Sequence, residues 1–261
     1  MKIKSTCSLA LLAATSALLV TTTSLRASDS DDRIESSAAK SYVFKTYLKD
    51  DSIKTDSKDG VVTLTGTVCD ASHKSLAGNT VESLPGVKSV DNQLEIKGDQ
   101  PKEHSDAWID TKVKFALLFH RNVSATGTTV YVKNGVVTLQ GVASSLAQKE
   151  LTTEYARDVD NVKRVKNDMT IASTPGAPDS TAGDKIDDAS ITAQVKSSLL
   201  SHRSTSAMHT TVSTTDGVVT LGGIAKNDAE KTLVTKLTTD INGVTSVVNN
   251  MTIELKTASN N

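Results

Sequence analysis

One phrase is written three times along the chain: DGVVTLTG at 59–66, NGVVTLQG at 134–141 and DGVVTLGG at 216–223. Each copy is followed at a fixed distance by a second match. From Gly66, Gly141 and Gly223 it is 21 residues to Val87, Val162 and Val244; Val90, Val165 and Val247 come next, then Asn92, Asn167 and Asn249. Two matches at constant spacing in triplicate describe a tandem array of one module of roughly 70 residues. Whatever the chain does must reside in that module or in what differs between its copies.

The order of elements within a module is readable from local pattern. Ile191, Val195, Ser198 and Leu199 follow the i, i+4, i+7, i+8 rule for one buried helix face, as do Ile109, Val113, Ala116 and Leu117. Ala39, Val43, Thr46 and Tyr47 give a weaker version in the first copy, where the stretch from helix to turn reads as five residues shorter. A short strand (Thr129–Val132, Thr211–Ser213) then meets an Asn-Gly or Asp-Gly turn, the strongest short-range hairpin signal. The strand Val-Val-Thr-Leu follows. Asp70, Ser145 and Asn227 are good N-caps for a second helix. Gly86, Asn161 and Gly243 suit the left-handed residue that ends it. A last strand covers 90–96, 165–171 and 247–253. Helix, strand, strand, helix, strand predicts an α+β module: a three-stranded mixed sheet with both helices on one face. Modules at 31–98, 105–173 and 186–256 are expected, each folding independently, with 174–185 a flexible linker rich in Pro, Gly, Ser and Ala.

Residues 1–27 read as an export signal, with Lys2 and Lys4, an apolar stretch from Leu9 to Val20, and cleavage near Ala27. The apolar run is too short and too polar for a membrane span, so a soluble, exported, peripheral protein is expected. Residues 1–27 take Lys2, Lys4 and Arg26 and no acid from a chain of 29 basic and 30 acidic residues, leaving 26 against 30. An acidic balance disfavours nucleic acid as a partner. Cys69 is then the one cysteine left, which excludes an internal disulfide. Aromatic residues are 3% of the chain, so the cores must be built from Val, Leu, Ile and Ala.

The phrase Gly-Val-Val-Thr-Leu-x-Gly, followed by Gly-Val-x-x-Val-x-Asn, resembles the BON domain, and the resemblance covers all three modules. It implies a periplasmic protein linked to envelope or hyperosmotic stress. It also implies binding of phospholipid surfaces or misfolded envelope proteins in place of catalysis, with no cofactor.

The motif marks no site, so the copies must be compared. On the first helix of the second module Trp108, Phe115 and Phe119 lie within about 40° of one another and about 120–160° from Val113. Ser190, Ser197 and Ser201 take those places in the third module; Ala38, Lys45 and Lys49 take them in the first. The second module is thus expected to carry an extra apolar stripe on the water side of its helix, flanked by Lys112, Lys114 and Arg121. Aromatics beside cations suit an anionic phospholipid surface. Packing against a neighbouring module, self-association, or a protein client would equally cover such a stripe. Tyr42 and Phe44 would extend it. The third module, without aromatics, reads as a spacer or docking module. His73, His104, His120, His202 and His209 are scattered with no metal-ligand spacing, and no nucleophile elbow or phosphate loop occurs, so neither an enzyme nor a metal site is expected. His-Arg recurs at 120–121 and 202–203, where a cation would favour a helix C-terminus.

Overall fold

The structure, a computed structural model, describes residues 22–172 and 185–254. The first module has α1 (Thr22–Lys40), α2 (Tyr42–Thr46), β1 (Ser52–Lys58), β2 (Val61–Val68), α3 (Ala71–Glu82), β3 (Ser89–Asn92) and β4 (Glu95–Ile96). The second has α4 (Asp106–Leu117), β5 (Thr128–Lys133), β6 (Val136–Ala143), α5 (Leu146–Arg157), β7 (Arg164–Asn167) and β8 (Thr170–Ile171). The third has α6 (Asp188–Ser201), β9 (Thr210–Thr215), β10 (Val218–Ala225), α7 (Asp228–Thr239), β11 (Ser246–Asn249) and β12 (Thr252–Ile253). Most of the expected export signal and linker lies outside the described residues.

In each module the first two strands form an antiparallel hairpin and the last runs parallel to the middle one. That last strand is split into two short pieces by the repeated asparagine. Asn167 Nδ2 donates to Lys149 O and Thr153 Oγ1 while its Oδ1 accepts the Met169 amide. Asn249 does the same toward Lys231, Thr235 and Met251. The asparagine therefore ties the strand to the second helix, and the amide it holds belongs to a buried residue, Met169 or Met251.

The turn opening each phrase has positive φ at both central residues: Asp59 and Gly60, Asn134 and Gly135, Asp216 and Gly217. Its two amides are taken by one carboxylate of the first helix, midway along α1 in the first module and at the first residue of α4 and α6 in the others. Asp31 accepts from Asp59 and Gly60 at 2.8 and 2.9 Å, Asp106 from Asn134 and Gly135 at 2.7 and 2.9 Å, Asp188 from Asp216 and Gly217 at 2.8 and 2.9 Å. The Gly60 and Gly135 amides are the leading reason why the Asp31 and Asp106 carboxyls lie below the usual carboxylate range.

This contact corrects the expected register of the first module. Carboxylate and glycine are 29 residues apart in all three copies, so the first is not shorter. Ile34 and Ala38 are the counterparts of Ile109 and Val113 and are buried, while Ala39 is exposed. The helix breaks at Ser41, whose Oγ donates to Ala38 O at 2.8 Å and accepts the Phe44 amide at 3.3 Å. A short second helix then redirects Tyr42 and Val43 inward.

The modules are not separate beads but pack against one another. Their buried residues form one continuous apolar core that includes Leu64, Leu139 and Leu221 from the three middle strands. The third module sits at the junction: Asp187 Oδ2 accepts the Tyr42 amide at 2.8 Å, Ser190 Oγ accepts the Val43 amide at 3.1 Å, and Lys196 pairs with Glu82 at 2.9 Å. Its serines at the stripe positions, Ser190 and Ser197, are buried and let neighbouring helices approach closely.

Candidate functional site

The stripe residues are not brought together on a water-facing surface. Phe115 is 8% exposed and Phe119 is 0% exposed. Phe119 meets Phe115 edge-on at 5.0 Å and Tyr47 of the first module edge-on at 5.2 Å, between ring centroids. The helix face that reads as outward in one module is inward in the array, because the continuous core extends between modules. Arg121 leaves the helix end and donates from its guanidinium to Ile241 O and Val244 O at 2.5 and 2.6 Å, in the third module. Lys114 pairs with Asp110 at 2.7 Å on the surface. Of the three stripe aromatics Trp108 alone stays partly exposed. Lys112 Nζ lies 5.5 Å from its ring centroid, and the pair lines a cleft of about 370 Å³ with Cys69, Ile96 and Pro101.

His202 stands at the C-cap of α6, whereas α4 is capped by Leu118 with His120 and Arg121 beyond it; both His-Arg pairs also join the second and third modules in a near-symmetric exchange. The Arg121 amide donates to Asp240 O at 2.8 Å, and the Arg203 amide donates to Asp158 O at 3.0 Å. Asp158 and Asp240 hold the same position, the C-cap of the second helix. His202 Nδ1 lies 3.1 Å from Asp158 Oδ2, and His120 Nδ1 lies 3.2 Å from Asp240 Oδ2. The symmetry is broken by Tyr155, which stacks on His120 at 4.0 Å and donates its hydroxyl to Asp240 Oδ2 at 2.6 Å. Leu237 holds its place in the third module.

Burial holds the His120 imidazole below its ordinary value of 6.5, outweighing the Asp240 carboxylate, which raises it; His202 adds to the lowering. A histidine with a depressed folded pKa contributes stability that is complete above its unfolded pKa and is lost as pH falls through it. The unfolding free energy should therefore drop as pH is lowered below about 6.5, and His120→Gln should flatten that slope. Urea titrations at a series of pH values between 5 and 8 test this; an equal slope in the variant would refute it.

The copy-specific surface that does face water is the open side of the second sheet. Lys133, Val136 and Arg164 are directly opposite one another across three strands, and so are Tyr131, Thr138 and Lys166. Neighbours in register project to the same face, and Tyr131 is 57% exposed there. Lys133, Arg164 and Lys166 are exposed as well, with Asp168 pairing Lys166 at 2.7 Å. The corresponding rows are Lys58, Val61, Ser89 and Asp56, Thr63, Asp91 in the first module, and Thr215, Val218, Ser246 and Ser213, Thr220, Val248 in the third. Only the second copy combines an aromatic ring with three cations on this face. The sequence carries the signal in the polar half of the strand alternation, the half that a search for core positions passes over.

A family model described as the BON domain matches residues 30–98, 105–173 and 187–254. Over 147 residues the chain is 33% identical to the osmotically-inducible protein Y of Escherichia coli (strain K12), covering 56% of this chain and 71% of that protein. Among solved structures it is similar to CdsD, a structural protein of the type III secretion system of Chlamydia trachomatis. That likeness has 19% identity over 87% of this chain and 92% of the other, with a TM-score of 0.22, too low to bear on function.

Proposed function

Since the chain belongs to the BON domain family in each of its three modules, we propose that it is a non-catalytic periplasmic protein of the osmotic-stress response that attaches peripherally to anionic phospholipid through its second module. The relative's name supports the osmotic setting. None of the described helices is long and apolar enough to cross a membrane, which fits peripheral attachment. The observation that carries the lipid reading is the row arrangement of Tyr131, Lys133, Arg164 and Lys166 on an uncovered sheet face. A tyrosine ring sits well at the headgroup level. Each cation near an anionic surface contributes about 1 kcal/mol. Trp108 and Lys112 retain a smaller share of the role expected for the helix stripe, whereas Phe115, Phe119 and Arg121 act in holding the modules together.

Cosedimentation with phosphatidylglycerol and phosphatidylcholine vesicles tests the reading. Binding is expected to the anionic vesicles alone and to weaken with salt. The triple change Lys133→Gln, Arg164→Gln, Lys166→Gln should lower the affinity on the order of a hundredfold, with folding intact because all three side chains are at the surface. Equal binding to both vesicle types, or no effect of the triple change, would overturn it. Salt-insensitive capture of an unfolded protein with no vesicle binding would favour a chaperone or scaffold instead.

A further inference from the structure

The first module departs from the other two at the start of its second helix. There Gln148 and Glu230 accept, at 2.7 Å each, the amides of Ser144 and Lys226, the residues that precede the N-caps. His73 stands in their place, and the corresponding amide, that of Cys69, is taken by Asp51 Oδ1 at 2.9 Å. The imidazole is thereby released from a structural task that its counterparts perform. Its Nδ1 lies 2.6 Å from Asp51 Oδ2 and 3.1 Å from Cys69 Sγ.

A nucleophilic Cys-His-Asp relay needs the thiol on one ring nitrogen and the carboxylate on the other, so that a proton passes through the ring. Here both converge on Nδ1. Sulfur, nitrogen and oxygen donors all lie within 4.8 Å of one another, the one such grouping among the described residues. Asp51 is 4% exposed along its side chain, so a buried carboxylate faces this point. Asp70 caps α3 with Oδ1, and its Oδ2 lies 3.7 Å from Sγ, adding negative charge. One thiol, one imidazole and one carboxylate form the donor set of a borderline-soft divalent ion.

We propose that Asp51, Cys69 and His73 form a binding site for a divalent transition-metal ion of the zinc class, with solvent in the fourth position. Ligands of a tetrahedral zinc stand about 3.4–3.7 Å apart. The imidazole, 20% exposed along its side chain, needs to swing outward by about 1 Å to admit the ion, and the exposed Cys69 leaves the group open to solvent. Binding releases the thiol proton to solvent.

The test uses tag-free, reduced, metal-free full-length protein titrated with cobalt(II). One ion per chain should bind with a near-ultraviolet thiolate-to-cobalt absorption band, and zinc should displace it. Cys69→Ser should abolish the band. His73→Gln, which installs the residue of the second module, should weaken binding at least tenfold without changing the circular dichroism spectrum. Absence of saturable binding, binding without a thiolate band, or a spectrum unchanged in both variants would each overturn the site.

Discussion

Asp240→Ala should lower the unfolding free energy by about 1–3 kcal/mol, more than any surface change in the same module. The Asp240 side chain closes the junction between the second and third modules. It accepts from the Tyr155 hydroxyl and from Asn122, and it is itself buried beside the buried His120. Deleting it leaves the buried Tyr155 phenol without its acceptor, at the full desolvation cost of that group, and removes the carboxylate beside His120. The near-symmetric Asp158 is less covered, with 20% of its side chain exposed. Although burial raises its carboxyl, hydrogen bonds from His202 and Ser204 and the charge of Arg203 outweigh that and hold it below the ordinary range. Asp158→Ala should therefore cost less than Asp240→Ala. Urea unfolding followed by circular dichroism and by Trp108 emission separates the two. A loss below about 1 kcal/mol in Asp240→Ala would mean that the modules do not depend on this junction.

What the sequence discloses of this fold is what short stretches decide. Asp70, Ser145 and Asn227 cap their helices, and Gly86, Asn161 and Gly243 carry positive φ, because each of those outcomes depends on a few adjacent residues. The face of the first helix in the first module is not decided that way. Alanines at 38 and 39 and apolar residues from 42 to 44 fit two registers, and the pairing of Asp31 with a turn 29 residues away selects one of them. The fixed distance between an aspartate and the Asp-Gly or Asn-Gly turn is present in the sequence and would have served as the ruler. The stripe on α4 is a different kind of difficulty. Its apolar excess is plain in the sequence, but its cover comes from Tyr47 in another module, and no local pattern encodes that approach. The same holds for Asp51, Cys69 and His73. Cys69 and His73 share one turn, and Asp51 reaches them only through the pairing of β1 with β2.

The glycine that ends each phrase should be the least replaceable residue of its module. Gly66, Gly141 and Gly223 have φ of +112, +130 and +99, and a Cβ at those positions would stand 1.9, 2.0 and 1.9 Å from the carbonyl oxygens of Ser52, Gly127 and His209. Two penalties coincide there. Positive φ is strained for any residue with a side chain, and the clash is with backbone that is locked in the hairpin and cannot rotate away. Gly223→Ala is expected to destabilise the protein by about 3 kcal/mol or more. Gly98 provides the control: its φ is +74 but nothing lies within 4 Å of the added Cβ. Gly98→Ala should cost only the strain, about 1–2 kcal/mol. The difference between the two alanines in urea unfolding measures the clash alone. If the two cost the same, the close approach of the strands is relieved by movement of the hairpin, and the repeated glycine is retained for its backbone angle only. If Gly223→Ala costs far more, the motif that repeats three times is a packing requirement of the sheet.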